Sequence, residues 1–123
     1  MDKTVTIQDL KKKIYDFCDE RDWYQWHTPK ELAIGVITEA SELLEHFRFR
    51  SDEEMQAMFD DLEKRAEIES EVADVFFFLL RFCERFDVDL SDALQRKIEK
   101  NAEKYPVALA KGSNKKYTEF GRV

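Results

Sequence analysis

Leu62-Glu-Lys-Arg-Ala-Glu-Ile68-Glu-Ser-Glu71-Val-Ala-Asp74-Val-Phe-Phe-Phe-Leu-Leu80-Arg-Phe-Cys83-Glu-Arg-Phe86 decides how the rest of the chain is read. No Gly or Pro interrupts it, and Ile68, Val72, Val75, Phe76, Leu79 and Cys83 recur at three- and four-residue spacings, so the pattern predicts one long helix with an apolar side. Phe77, Phe78, Leu80 and Phe82 make that helix apolar almost all round. A single small bundle covers only one face of such a helix, so the other face is expected to pack against a second subunit. A homo-oligomer follows, with dimer and tetramer both open.

Outward from this stretch the helical reading continues. Downstream, Asp89 can cap a further helix that turns Leu94 and Ile98 inward and stops at Tyr105, since the residue before Pro106 is pushed out of helical geometry. Residues 1–107 then form one helical domain, and 108–123, with Gly112-Ser-Asn114, a basic, weakly patterned C-terminal tail. Upstream, Ser51-Asp-Glu-Glu54 is a capping signature opening a polar helical segment with Met55, Met58 and Phe59. Pattern alone leaves open whether it breaks near Asp60-Asp61. Before it, Thr28, Pro29 and Glu31 mark a capping box and helix start, and the helix runs to about Phe47. Leu32, Val36, Ala40, Leu43 and Phe47 should face the core, with Glu39, Glu42 and His46 on a neighbouring stripe. A first helix over about Thr6 to Asp19 carries Ile7, Leu10, Ile14 and Phe17, and the unpatterned Glu20–His27 stretch reads as an ordered loop bearing two tryptophans. The expectation is an all-α bundle of four to five helices.

The bulk numbers agree. A chain of 123 residues supports one domain, and 43% hydrophobic and 38% charged residues with only 3 Gly and 2 Pro favour packed helices over a turn-rich sheet. The net charge of −7 argues against a nucleic-acid polymer as partner, because such binding rests on Lys and Arg neutralising phosphates. The longest apolar run, Val75 to Leu80, is too short for a bilayer, and the N-terminus lacks a charged-then-apolar signal pattern. Cys18 and Cys83 lack metal-type spacing and sit among apolar residues, so they read as buried free thiols in a reducing cytoplasm.

The chemistry concentrates in Glu39-x-x-Glu42 and Glu71-x-x-Asp74. Helical residues three apart differ by roughly 60° around the axis, so each pair projects one way, beside its helix's apolar stripe. If the two helices pack antiparallel, four acids converge. Two unit charges about 4 Å apart repel by roughly 4 kcal/mol at a protein-like effective dielectric, so such a cluster needs a cation. All-oxygen ligands select a hard ion, Mg²⁺ or else Mn²⁺. A di-iron bundle would require Glu-x-x-His motifs, and neither His27 nor His46 has a Glu three residues earlier. On the last helix Lys97, Asn101 and Lys104 share a stripe, with Tyr105 following. Cations near a helix C-terminus need no ligand to explain them, but beside a carboxylate–metal site they suit a polyphosphate.

With these motifs in order, the chain resembles the MazG-like, all-α nucleoside triphosphate pyrophosphohydrolases, whose Glu-x-x-Glu, spacer, Glu-x-x-Asp pattern is met by Glu39-Ala-Ser-Glu42 and Glu71-Val-Ala-Asp74. Phe17-Cys-Asp-Glu-Arg-Asp-Trp23, His27-x-Pro29, Val88-Asp-Leu90 and Lys97-x-x-x-Asn101-x-x-Lys104-Tyr105-Pro106 resemble the dCTP pyrophosphatase group in particular. The resemblance implies Mg²⁺-dependent conversion of a (deoxy)nucleoside triphosphate, dCTP or a related one, to monophosphate and pyrophosphate. It implies Glu39, Glu42, Glu71 and Asp74 as metal ligands, with Glu39 or Glu42 also acting on the attacking water. Lys97, Asn101, Lys104, Tyr105 and Lys30 would hold the phosphates, and His27, Trp23, Trp26 and Phe49 the base. Phe49 stands where dCTP-type relatives tend to have Trp; Phe still stacks but lacks the indole N–H donor. The same chemistry on a modified or purine nucleotide such as dATP is the alternative, as is a non-catalytic acidic helical interaction module.

Overall fold

The computed structural model describes residues 1–121, and among them every regular element is helical. The α-helices are α1 (Ile7–Glu20), α2 (Pro29–Glu45), α3 (Asp52–Asp60), α4 (Leu62–Arg85), α5 (Leu90–Lys104) and the single turn α6 (Val107–Ala110). Two 3₁₀ turns, Tyr24–Trp26 and Tyr117–Glu119, complete the described elements. The all-α expectation holds, as five long helices and one short one, and no described helix is long and apolar enough to cross a membrane.

The boundaries follow the capping chemistry. Thr6 and Ser51 each form a reciprocal box, with Asp9 and Glu54. At Thr28 only half of the expected box forms: its hydroxyl accepts from the Glu31 backbone N–H at 3.2 Å, with no return bond from the Glu31 carboxylate. Pro29 at the first helical position already fixes the backbone there. The open question at Asp60-Asp61 resolves as a true break: Asp61 is extended (φ −83°, ψ 114°) and its carboxylate accepts from the Glu63 and Lys64 N–H groups, ending α3 and starting α4. The second helix stops at Glu45, before the expected Phe47, and the following turn leaves Phe49 in the left-handed region at φ +64°.

The chain divides into two compact units, Met1–Val88 and the segment from Asp89 onward. In the first, α4 packs mainly on α2 and also on α1 and α3. Its centre is Cys18, Leu32, Ile68, Leu80 and Cys83, together with one charged side chain, Arg81. Of the apolar side read from the spacing, Ile68 and Cys83 are buried, but Val72 is 50% exposed and Leu79 38%, while Leu80 and Arg81, from outside that set, are buried. A helix apolar on every side does not announce which face turns inward; its partner helices decide. The exposed side of α4 lines an apolar cavity of about 830 Å³ with Leu43, Phe59, Val72, Phe76 and Leu79 among its walls.

In the second unit, α5 runs from its Asp89 cap to Tyr105 as expected, but Leu94 and Ile98, expected to turn inward, are more than half exposed. Residues 107–121, read from sequence as a weakly patterned tail, contain α6 and the Tyr117–Glu119 turn, and Tyr117 and Phe120 meet Tyr105 edge-on at 5.9 and 5.8 Å between ring centres.

Candidate metal centre

Two contacts set the register of α2 against α4. Glu42 neighbours Glu71, and Gly35 lies against Phe78. From the second contact to the first, α2 advances seven residues and α4 goes back seven, so the helices run antiparallel and bring their acid pairs to one level. Gly35 permits the approach, because a Cβ there would meet the Phe78 ring at 2.5 Å.

At this crossing Glu39, Glu42 and Glu71 each contribute a carboxylate oxygen to a group whose members all lie within 4.8 Å of one another. Asp74 is exposed and stands outside that tight group, yet close enough for its charge to act on both Glu39 and Glu71. Burial, then the Glu42 carboxylate, push the Glu39 carboxyl above its ordinary range, with Asp74 and Glu71 adding to the effect. Burial and Glu42 raise Glu71 likewise, Asp74 adds, and His46 pulls the other way.

The Glu71 Oε2 atom is sealed from solvent with no hydrogen-bond partner, while its Oε1 lies 3.8 Å from His46 Nε2. An orphaned buried carboxylate oxygen among repelling acids is costly unless a cation completes the set. The donors are all oxygens, so these residues could hold a hard metal ion. From Glu42 and Glu71 a cavity of about 720 Å³ opens between α2, α3 and α4, passing His46, Arg50 and Lys64.

The remaining site residues named from sequence sit as follows. Lys30 is exposed in the first turn of α2. Lys97, Asn101 and Lys104 form an exposed stripe of α5, with the Lys104 ammonium 4.9 Å from the centre of the Tyr117 ring and Tyr105 37% exposed. Trp23 meets His27 edge-on at 6.0 Å, Trp26 is 65% exposed and Phe49 89%, the last covered by the Arg48 guanidinium at 4.6 Å. Two residues were not assigned a role from sequence. His46, one turn after Glu42, reaches Glu71. Arg81, a lone cation between Leu80 and Phe82, is buried and holds His27. Its one sequence signal was a charge inside an apolar run.

Comparison with known proteins places the chain in a family. The model of the MazG-like family matches residues 34–120. The chain is 36% identical over 117 residues to dCTP pyrophosphatase 1 of Mus musculus, covering 95% of this chain and 69% of that protein. The Homo sapiens protein of the same name is 35% identical over 115 residues, covering 94% and 68%. A pyrophosphatase crystal structure from Archaeoglobus fulgidus superposes with a TM-score of 0.75 at 38% identity, covering 80% of this chain and 91% of that one. The chain belongs to the MazG-like family. Within that family it sides with the dCTP pyrophosphatase group.

Proposed function

We propose that this member of the nucleoside triphosphate pyrophosphohydrolases hydrolyses a deoxynucleoside triphosphate, dCTP or a close relative, to the monophosphate and pyrophosphate. The carrying observation is the three-carboxylate group with its unpartnered Glu71 oxygen. Mg²⁺, with Mn²⁺ as substitute, is the proposed ion, held by Glu39, Glu42, Glu71 and Asp74. When bound, it neutralises phosphate charge and acidifies the attacking water. Glu39, whose carboxyl is pushed above its ordinary range, or Glu42 orients that water and takes its proton.

Lys97, Asn101, Lys104, Tyr105 and Lys30 are assigned to the phosphates, where ammonium groups and an amide match polyphosphate oxygens. His27, Trp23, Trp26 and Phe49 are assigned to the base, the aromatic faces for stacking. The exposed apolar side of α4 and the Leu94–Ile98 stripe of α5 support assembly of like subunits. Two buried free thiols, Cys18 and Cys83, suit a reducing cytoplasm.

The test is kcat/KM over a nucleotide panel with Mg²⁺: dCTP, its methylated forms, dUTP, dTTP, dATP and dGTP. A preference for dCTP or a modified cytosine supports the reading; preference for dATP moves the substrate but keeps the chemistry. No turnover and no nucleotide-dependent rise in Tm would leave an acidic helical interaction module.

A further inference from the structure

The largest fully buried side chain among the described residues is a cation, Arg81, 2% exposed. A buried guanidinium needs a counter-charge, and Glu84 provides it: Nη1 donates to Glu84 Oε2 at 2.6 Å. The remaining bond has no such explanation. Arg81 Nε donates at 2.9 Å to Nδ1 of His27, an imidazole that balances no charge.

That bond has one possible direction. Guanidinium has no acceptor atom and stays protonated, so His27 Nδ1 must keep its lone pair, and the single ring proton of the neutral imidazole must sit on Nε2. Burial, then the charges of Arg81 and Arg85, also disfavour the imidazolium. Nε2 has no protein partner among the described residues and is not sealed from solvent.

Arg81 also shares a stripe with the metal-site acids. Glu71, Asp74, Phe78 and Arg81 follow at three and four residues along α4, and Asp74 and Arg81 are two turns apart, about 10 Å. One helix face carries carboxylates at one end and, two turns on, the group that sets the state of His27. This matches the layout of a nucleotide, with phosphates at one end and a base at the other.

We infer that Arg81 is a positioning residue for base recognition: through Nδ1 it locks His27 as an Nε2–H donor, so the base edge facing it must offer a ring nitrogen or carbonyl acceptor. This rests on the reading that His27 faces the base. Arg81 itself touches no substrate.

The first measurement uses the unaltered protein. Nitrogen-15 NMR of the histidine ring should show the Nε2–H tautomer of His27 between pH 6 and 8, with the Nε2–H resonance shifting when α,β-imido-dCTP and Mg²⁺ are added. An Nδ1–H tautomer, or an Nε2–H resonance indifferent to nucleotide, overturns the inference. The second compares Arg81→Met and Arg81→Lys, the latter keeping the charge beside Glu84 should the former not fold. Each should mix the tautomers and raise KM for the preferred nucleotide by about fivefold to tenfold, the worth of one hydrogen bond, with the loss on KM rather than kcat. Equal falls in kcat and Tm without a KM change would reduce Arg81 to a structural ion pair. If the unaltered protein turns over no nucleotide, the functional reading fails; if it does and these variants keep its KM, only the role of Arg81 fails.

Discussion

Gly35 of α2 lies against the ring of Phe78 on α4, so close that a methyl group at position 35 would come within 2.5–2.7 Å of three ring carbons. This contact limits how close together the two helices that carry the acid pairs can be set, because a side chain at position 35 would push them apart. Gly35→Ala gains about 1 kcal/mol of helix propensity but incurs about 1–3 kcal/mol of overpacking, because Phe78 is itself packed edge-on against Phe77. The expected outcome is a lower Tm and a smaller Mg²⁺-dependent rise in Tm, as Glu39 and Glu42 move away from Glu71. A variant with higher Tm and an unchanged response to Mg²⁺ would show that the spacing is set elsewhere.

The acid cluster predicts an unusual pH dependence. Glu39 and Glu71 have folded-state pKa values raised above 4.5, so the folded chain holds these protons more tightly than the unfolded chain. Their contribution to stability is fully present below about 4.5 and is lost as pH rises through the raised values. Mg²⁺ needs the ionised carboxylates, so its stabilisation should grow over the same window. Melting curves from pH 4.5 to 8 in EDTA and in Mg²⁺ should diverge progressively, and parallel curves would argue that the cluster binds no ion.

Lys97 and Lys104 are expected to act on substrate and not on folding. Both are exposed on α5, so Lys97→Ala and Lys104→Ala should each change folding stability by no more than about 0.5 kcal/mol, the usual range for surface changes. Charged hydrogen bonds to phosphate are worth roughly 1.5–3 kcal/mol, so kcat/KM should drop by about tenfold to a hundredfold. Unchanged kinetics would return this stripe to a role as helix-terminal cations.

The open side of α4 makes its own prediction. Val72 and Leu79 are 50% and 38% exposed in the single chain and border an apolar cavity of about 830 Å³. Val72→Glu with Leu79→Glu should reduce the mass in light scattering to that of one chain, while leaving Leu32 and Leu80 packed. An unaltered protein that is already monomeric would contradict assembly through this face.

What could be read from the sequence divides along physical lines. The Glu39/Glu42 and Glu71/Asp74 pairs were legible because a three-residue spacing fixes their direction whatever the tertiary fold, and capping at Ser51 and Asp89 is a local event. The inward face of α4 was not legible. Its ring of Phe and Leu has no polar side to exclude, and the register against Gly35 selects Leu80 and Arg81 for burial over Val72 and Leu79. The same holds for Arg81 and His27, 54 residues apart, whose bond exists only after α2 and α4 have docked. Tyr117 and Phe120 looked like tail because their partner, Tyr105, sits across a turn that Gly112 makes at φ +74°.

Glu39, Glu42, Glu71 and Asp74 are proposed to support pyrophosphohydrolysis of a triphosphate. Purified protein incubated with dCTP and Mg²⁺, its products resolved by ion-exchange chromatography, tests it most directly. The expected products are dCMP and pyrophosphate in equal amounts, abolished by EDTA and reduced at least about a hundredfold in Glu42→Gln and Glu71→Gln, losses expected when an ion's ligands are removed. Release of dCDP and orthophosphate, or full activity in those two variants, would contradict it.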